Sequence, residues 1–189
     1  RRRHPLAPQP GASVVESIAF ERKALERIRN VATRVIDTSA RRGAELKQLI
    51  TEAVRQHERG ESMAFTLLSF GFKYGLPVEA DLVFDVRHLQ NPHFVPELKP
   101  KTGLQPDVRD YVLQQADTQE LIKRIDDLVR YLVPLYLREG KRYLTAAIGC
   151  TGGRHRSVAI AEALGERLRV ELSKVDVAVS QRHRDIDRA

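Results

Sequence analysis

Tyr143-Leu-Thr-Ala-Ala-Ile148 is an apolar stretch that runs directly into Gly149-Cys-Thr-Gly-Gly-Arg-His-Arg-Ser157. The first segment has the composition of a buried strand, and the residues after Ser157 repeat apolar side chains at helical spacing. A strand that enters a glycine-rich loop and leaves it as a helix is typical of an α/β domain. Such a loop points backbone N–H groups at one spot, beside the positive end of the helix dipole. The sequence therefore predicts an anion site at this strand-to-helix junction.

The same loop carries side chains that suit phosphate. Gly152 and Gly153 let the backbone approach a ligand closely, and Arg156 offers a planar fork of donors matched to phosphate oxygens. A glycine-rich turn alone is weak support, because such turns commonly cap helices. The combination is more specific, and we expect ligand contacts from Cys150, Thr151, Gly152, Gly153, His155, Arg156 and Ser157.

Four residues outside the loop are candidates for the same pocket. Asp85 ends a predicted strand and Arg87 follows it, and α/β sheets bind ligands at the carboxyl ends of their strands. Lys73 lies in a glycine-bounded loop, and His93 lies in a proline-rich segment between residues 87 and 106. Taken singly, each also has an ordinary explanation as a loop cap, a surface charge or a packed loop residue.

The pattern along the chain predicts two α/β parts, residues 1–60 and residues 61–189. Ser13-Val-Val-Glu16 is a capping box that predicts a helix start, and a composition change near Arg59 marks the boundary. The first part is expected to continue with a strand at 34–38 and a helix at 44–58. In the second part we expect strands at 64–70, 80–86, 143–148 and 175–179, and helices at 107–115, 118–138 and 157–168. The run Leu82-Val-Phe84 predicts a strand that is buried on both faces.

Charge and composition narrow the function. The net charge is +7, with 13 Lys/Arg against 7 Asp/Glu in residues 1–60, 9 against 12 in 61–140 and 10 against 6 in 141–189. Basic ends favour a phosphate-backbone partner, although an arginine-rich soluble protein has the same totals. We expect RNA contacts from a basic tail beyond the last strand, through Arg182, His183, Arg184 and Arg188.

Other classes of protein fit less well. Cys150 is the only cysteine, so neither an intrachain disulfide nor a cysteine-rich zinc site is possible, and no metal site is predicted. No apolar run approaches the ~18 residues of a membrane span. We expect a cytoplasmic protein with no membrane partner.

Several segments, in order along the chain, resemble the RapZ/YvcJ family. They are Ser69-Phe-Gly-Phe-Lys-Tyr-Gly75, Phe84-Asp-Val-Arg87, Asn91-Pro-His93, Pro96-Glu-Leu-Lys-Pro100, Gly149-Cys-Thr-Gly-Gly-Arg-His-Arg-Ser157 and Arg182-His-Arg-Asp185. The resemblance implies a homo-oligomeric adapter that binds small regulatory RNA, presents it to a ribonuclease and senses glucosamine-6-phosphate. It places the phosphosugar pocket on Asp85, His93, Thr151, Gly152, His155 and Arg156, beside Cys150.

The resemblance also implies a P-loop, kinase-like domain that binds ATP or GTP, and here the sequence departs from it. No Gly-x-x-x-x-Gly-Lys-Ser/Thr occurs in the chain, so the backbone cradle and the lysine that hold the β- and γ-phosphates are missing. We therefore interpret residues 1–60 as the remnant of that domain, and expect no cofactor in this chain. ATP or GTP would belong to the full-length family protein.

A cysteine-dependent phosphatase is the alternative. Cys150-x5-Arg156-Ser157 matches the loop of such enzymes, in which a thiolate at a helix N-terminus is the nucleophile. Gly149 stands where those enzymes usually have histidine, and no acid loop is evident. A purely structural or protein-interaction domain is a third possibility. We expect ligand binding rather than catalysis.

Overall fold

The computed structural model describes residues 13–32, positions 35, 36, 38, 43, 46 and 50, and residues 63–188. The chain divides into two compact units, residues 1–35 and residues 36–189. The boundary predicted near Arg59 lies outside the described residues, so the division at residue 60 stays a prediction. Of the strand expected at 34–38, the described positions 35, 36 and 38 are not in a strand, and most of the helix expected at 44–58 lies outside the described residues.

The first unit contains helix α1, Val14–Val31, and its start confirms the predicted capping box. The Ser13 hydroxyl oxygen accepts a hydrogen bond from the Glu16 backbone N–H at 3.2 Å, and the Glu16 carboxylate accepts one from the Ser13 N–H at 2.8 Å. These two bonds satisfy donors that a helix start otherwise leaves without partners.

The second unit is built on a four-stranded sheet. Its strands are β1, Met63–Gly71; β2, Leu82–Asp85; β3, Tyr143–Cys150; and β4, Val177–His183. All neighbouring strands are parallel, and their order is β2-β3-β1-β4. With the helices that follow, this arrangement confirms the predicted α/β class.

Three helices accompany the sheet: α2, Pro106–Leu113; α3, Ala116–Glu139; and α4, Arg156–Leu172. Because side chains alternate along a strand, Phe65 and Leu67 of β1 join the main core, which contains Ile122 of α3 and Leu164 of α4. Leu68 and Phe70, whose side chains lie on the opposite face of β1, form a smaller cluster with Ala147 of β3. Packing of the sheet against α3 and α4 therefore fixes its position and the positions of the loops at the ends of its strands.

Two predicted strands differ from the observed ones. Strand β2 lies at the sheet edge, where it pairs only with β3 among the described strands, and Val83 is 44% exposed; the prediction of burial on both faces is wrong. Strand β4 runs to His183 rather than ending at Val179, because Gln181, Arg182 and His183 continue the parallel pairing with β1.

The strand register brings the important loops together. Gly71 at the end of β1 pairs with Cys150 at the end of β3, and Asp85 of β2 pairs with Gly149. His183 at the end of β4 pairs with Ser69 of β1. Since all four strands are parallel, the segments that follow them leave the same edge of the sheet.

Candidate anion-binding cavity

A cavity of about 680 Å³ lies around the loop between β3 and α4. Its described lining contains seven basic side chains and no carboxylate; the basic ones are Lys73, His93, Lys99, Arg154, His155, Arg156 and Arg188. A cavity with one sign of charge on its wall concentrates ligands of the opposite sign. The wall therefore favours an anion.

Two glycines hold the loops in place, and a third leaves the backbone open. Gly153 has φ +76°, and a Cβ atom there would lie 2.5 Å from the Gly71 backbone nitrogen. A Cβ atom on Gly71 would likewise lie 2.5 Å from the Gly152 carbonyl carbon. An added Cβ on Gly152 meets nothing within 4 Å, and Gly152 lines the cavity. Its open backbone is a surface that a ligand can approach.

The N-terminus of α4 faces this region without a side-chain cap. His155 is the N-cap residue, but its side chain makes no capping hydrogen bond; its Nε2 lies 3.2 Å from the Lys99 carbonyl oxygen instead. The positive end of the helix dipole is thus not offset by a capping oxygen. Burial lowers the pKa of His155 and outweighs the contacts with the Lys99 and Leu98 backbone, which raise it. The neutral imidazole is therefore favoured.

Arg156 is almost entirely buried and holds a neighbouring loop. One terminal nitrogen, Nη1, donates to the carbonyl oxygens of Arg87 at 2.7 Å and Leu89 at 2.8 Å. The other, Nη2, donates to the Thr151 hydroxyl at 3.2 Å. The side-chain Nε is buried without a partner among the described residues. Three of the five N–H groups of the guanidinium are committed to the protein, and the Nε–H and one Nη2–H have no partner among the described residues.

Cys150 is buried at the base of the loop. Its Sγ lies 3.1 Å from the Ser157 hydroxyl and accepts a hydrogen bond from the Gly153 N–H at 3.2 Å. Ser157 itself is fully buried. These contacts connect the first and last residues of the loop, so the thiol and the hydroxyl stabilise its conformation.

Comparison with known proteins settles the family. The family model described as the RapZ C-terminal domain matches residues 63–187, about two thirds of the chain. The chain belongs to the RapZ family. This confirms the resemblance seen in the sequence, and the matched residues include all of β1 to β4 and the cavity loop.

Curated relatives in the RapZ family share about half of the sequence. A nucleotide-binding protein of Geobacter metallireducens is 49% identical over 188 residues, which are 100% of this chain and 64% of the relative. One from Anaeromyxobacter sp. (strain K) is 54% identical over 168 residues, 89% of this chain and 56% of the relative. One from Brevibacillus brevis is 48% identical over 188 residues, 100% of this chain and 61% of the relative. The chain thus spans 56 to 64% of these relatives.

Seven of the eleven pocket residues predicted from sequence line the cavity. They are Lys73, His93, Cys150, Thr151, Gly152, His155 and Arg156. Gly153 and Ser157 instead lie behind the loop, where they pack and hydrogen-bond. The fold therefore brings together most of the predicted pocket residues from three separate segments of the chain.

Asp85 and Arg87 lie at the end of β2 but are not part of the cavity lining. They bind each other: Arg87 Nε is 3.0 Å from each Asp85 carboxylate oxygen, and Nη2 is 2.6 Å from one of them. The hydrogen bond from Arg87 lowers the pKa of Asp85. The Arg87 guanidinium also lies 4.0 Å from the centre of the Phe72 ring. In this structure, Arg87 contributes to the site through its carbonyl oxygen, which Arg156 holds.

Sequence reasoning missed seven lining residues: Tyr74, Asn91, Pro96, Lys99, Pro100, Arg154 and Arg188, the last of which it assigned to RNA instead. Arg154 is in the loop itself, and it donates to the carbonyl oxygens of Pro100 at 2.8 Å and Lys101 at 3.1 Å. Those bonds bring the proline-rich segment onto the loop. The repeated prolines and Arg154 were the signals available in the sequence. The sequence does not indicate, however, which carbonyl oxygens the Arg154 guanidinium binds.

The prediction of a free basic tail beyond the last strand is wrong. Arg182 and His183 belong to β4, and Arg184 donates through Nη2 to the carbonyl oxygen of Gly75 at 2.8 Å. His183 connects Ser69 with Glu162, through contacts of 2.9 Å and 3.1 Å. Its pKa is lowered by burial, against the opposing effect of the Glu162 charge. The RNA-binding role assigned to these residues stays a prediction.

Within residues 13–32 and 63–188, no cluster of three or more metal-binding side chains occurs. Among the described helices, none combines the length and apolar character needed to cross a membrane.

Proposed function

We propose that this chain is the ligand-sensing and RNA-binding part of a RapZ-type regulatory adapter. Its cavity would bind a phosphorylated amino sugar, with glucosamine-6-phosphate as the representative ligand. The observation that carries this proposal is the basic, carboxylate-free wall of the cavity. Two features support it: the uncapped start of α4 and the buried Arg156 Nε without a partner among the described residues.

The size and chemistry of the cavity suit a sugar phosphate. A volume of about 680 Å³ lies within the range of small-molecule sites. The phosphate would lie against Gly152 and the N-terminus of α4, where backbone N–H groups and Arg156 Nε are donors. Asn91 and the Thr151 hydroxyl would be partners for sugar hydroxyl groups.

Calorimetry on the intact protein tests the ligand. Glucosamine-6-phosphate is compared with glucosamine, which lacks the phosphate, and with inorganic phosphate. We expect the phosphorylated sugar to bind at least tenfold more tightly than glucosamine, the usual gain from charge-assisted hydrogen bonds. Equal affinity for the two sugars would remove phosphate recognition from the proposal.

The adapter role extends the proposal to macromolecules. The net charge of +7 and the family membership support a small regulatory RNA as partner, a ribonuclease as the recipient of that RNA, and a homo-oligomer as the working form. The relatives are called nucleotide-binding proteins. We propose that ATP or GTP binds to the full-length protein at a P-loop that this chain does not contain.

The phosphatase alternative rests on one observation, the hydrogen bond from the Gly153 N–H to Cys150 Sγ, which places the nucleophile of that alternative beside a backbone donor. Against it, the described cavity wall provides no carboxylic acid to protonate a leaving group, and Asp85 is bound to Arg87. Hydrolysis of an aryl phosphate by the wild type that disappears in Cys150→Ser would favour the enzyme. Binding without turnover supports the sensor.

A further inference from the structure

The C-terminal segment, residues 182–188, forms part of the cavity wall. Arg188 lines the cavity, and its guanidinium lies 5.1 Å from the centre of the Tyr74 ring, another lining residue. Its side chain is 38% exposed, so it is open to the solvent side as well. The cavity lining therefore includes a positive charge from the segment that follows β4.

Arg188 differs from Arg154 and Arg156, the other two arginines of the cavity lining, in the partners of its N–H donors. Arg154 and Arg156 donate to backbone carbonyl oxygens, which fixes loops. For Arg188, the only described side-chain polar contact is between Nε and Asp185, at 3.4 Å. Its terminal nitrogens make no hydrogen bond within residues 63–188, and their parallel donors match a phosphate group.

A buried carboxylate fixes the position of Arg188. Asp185 is 0% exposed, and a buried carboxylate must be hydrogen-bonded or paired to be tolerated. One carboxylate oxygen accepts from the Gly71 N–H at 2.8 Å, and both accept from Arg184 Nε at 3.0 and 3.1 Å. The Arg188 backbone N–H also donates to the Asp185 carbonyl oxygen at 3.2 Å. The carboxylate thus connects the loop after β1 with the turn that carries Arg188.

We infer that Arg188 is the guanidinium that binds the ligand's anionic group in the cavity, and that Asp185 is the residue that positions it. The assignment rests on the proposed anion-binding function and adds a specificity-determining residue to it. Asp185 makes no contact with the ligand itself: it holds Arg188 beside Tyr74 and holds Gly71 against the Gly153 backbone. Arg156, the arginine that the loop sequence singles out, acts mainly by fixing the loop at 87–89.

The test compares binding of glucosamine-6-phosphate and glucosamine by calorimetry in four variants of the intact protein. Arg188→Ala is expected to weaken binding of the phosphorylated sugar by about tenfold or more, with little change for glucosamine, because it removes one charge-assisted contact. Arg188→Lys should restore part of the loss, since lysine keeps the charge but not the fork. Asp185→Asn keeps an oxygen for the Gly71 N–H but loses the charge that holds Arg188, and should weaken binding by a few fold. Asp187→Asn, an exposed site two residues away, is the matched control and should bind as the wild type does.

Non-additivity separates positioning from a general structural role. If Asp185 acts through Arg188, then Asp185→Asn should cause no further loss when added to Arg188→Ala. Additive losses would overturn the positioning role. Unchanged discrimination between the two sugars in Arg188→Ala, with wild-type binding intact, would overturn the assignment of Arg188. If the wild type does not prefer the phosphorylated sugar, the proposed function fails first, and the two failures remain distinct.

Discussion

The anion loop, Cys150–Ser157, and the C-terminal segment, residues 182–188, are both basic, and the fold uses their arginines in opposite ways. Arg156 lies in the loop that looked like a ligand fork, but all three described hydrogen bonds of its side chain go to the protein. Arg188 lies in what looked like a solvated tail, but it lines the cavity. The difference shows that the position of an arginine in a motif does not reveal whether its donors are committed to the fold.

The largest expected effect comes from Arg156→Ala. The substitution removes the donors to the carbonyl oxygens of Arg87 and Leu89, the second of which is buried, and we expect the free energy of unfolding to fall by about 3 kcal/mol. Urea unfolding measures this change. Arg138→Ala, at an exposed position near the end of α3, is the control and should change stability by less than about 0.5 kcal/mol. A stable Arg156→Ala that loses only ligand affinity would reverse the comparison and make Arg156 primarily a ligand residue.

A smaller effect distinguishes the two glycines of the loop. Gly153→Ala combines a positive φ with a clash against the Gly71 backbone, and should cost about 2 kcal/mol of stability. Gly152→Ala meets nothing within 4 Å and should be nearly neutral for stability, but its methyl group would occupy space that the ligand needs. Thermal unfolding and phosphosugar calorimetry on both variants give the comparison. Equal stability losses would show that Gly152 is also a packing residue.

The smallest effect concerns RNA. If Arg188 contacts an RNA phosphate when the cavity is empty, Arg188→Ala should lower the slope of log affinity against log salt by about 0.7–0.9. Arg138→Ala, at an exposed position near the end of α3, is the matched control, because it removes the same charge outside the residues predicted to contact RNA. We expect little change in its slope.

The measurement is a salt titration of binding to a structured small RNA in phosphate-free buffer. An unchanged slope in Arg188→Ala would exclude that side chain from the RNA interface. If the wild type binds no RNA at low salt, the adapter role fails and a phosphosugar-binding domain remains.

Local signals predicted the elements of the second unit well. Apolar periodicity predicted the four strands and three helices, because packing against a core imposes that periodicity. It could not show that β2 lies at an edge, since three apolar residues in a row occur in edge strands as well. It also ended β4 too early: Arg182 and His183 are polar, but they still pair with β1 and bind Glu79 and Glu162.

The sequence by itself determined the strand–loop–helix around Cys150 and the RapZ family, because these depend on residues that are neighbours along the chain. The tertiary structure alone decided which side chains reach the cavity. Lys99 and Arg188 are far apart in sequence, and they share one cavity because parallel strands end at the same edge and buried groups such as Arg156 and Asp185 must be hydrogen-bonded. That requirement commits Arg154 and Arg156 to carbonyl oxygens but does not commit Arg188. No local pattern in the sequence distinguishes the three arginines.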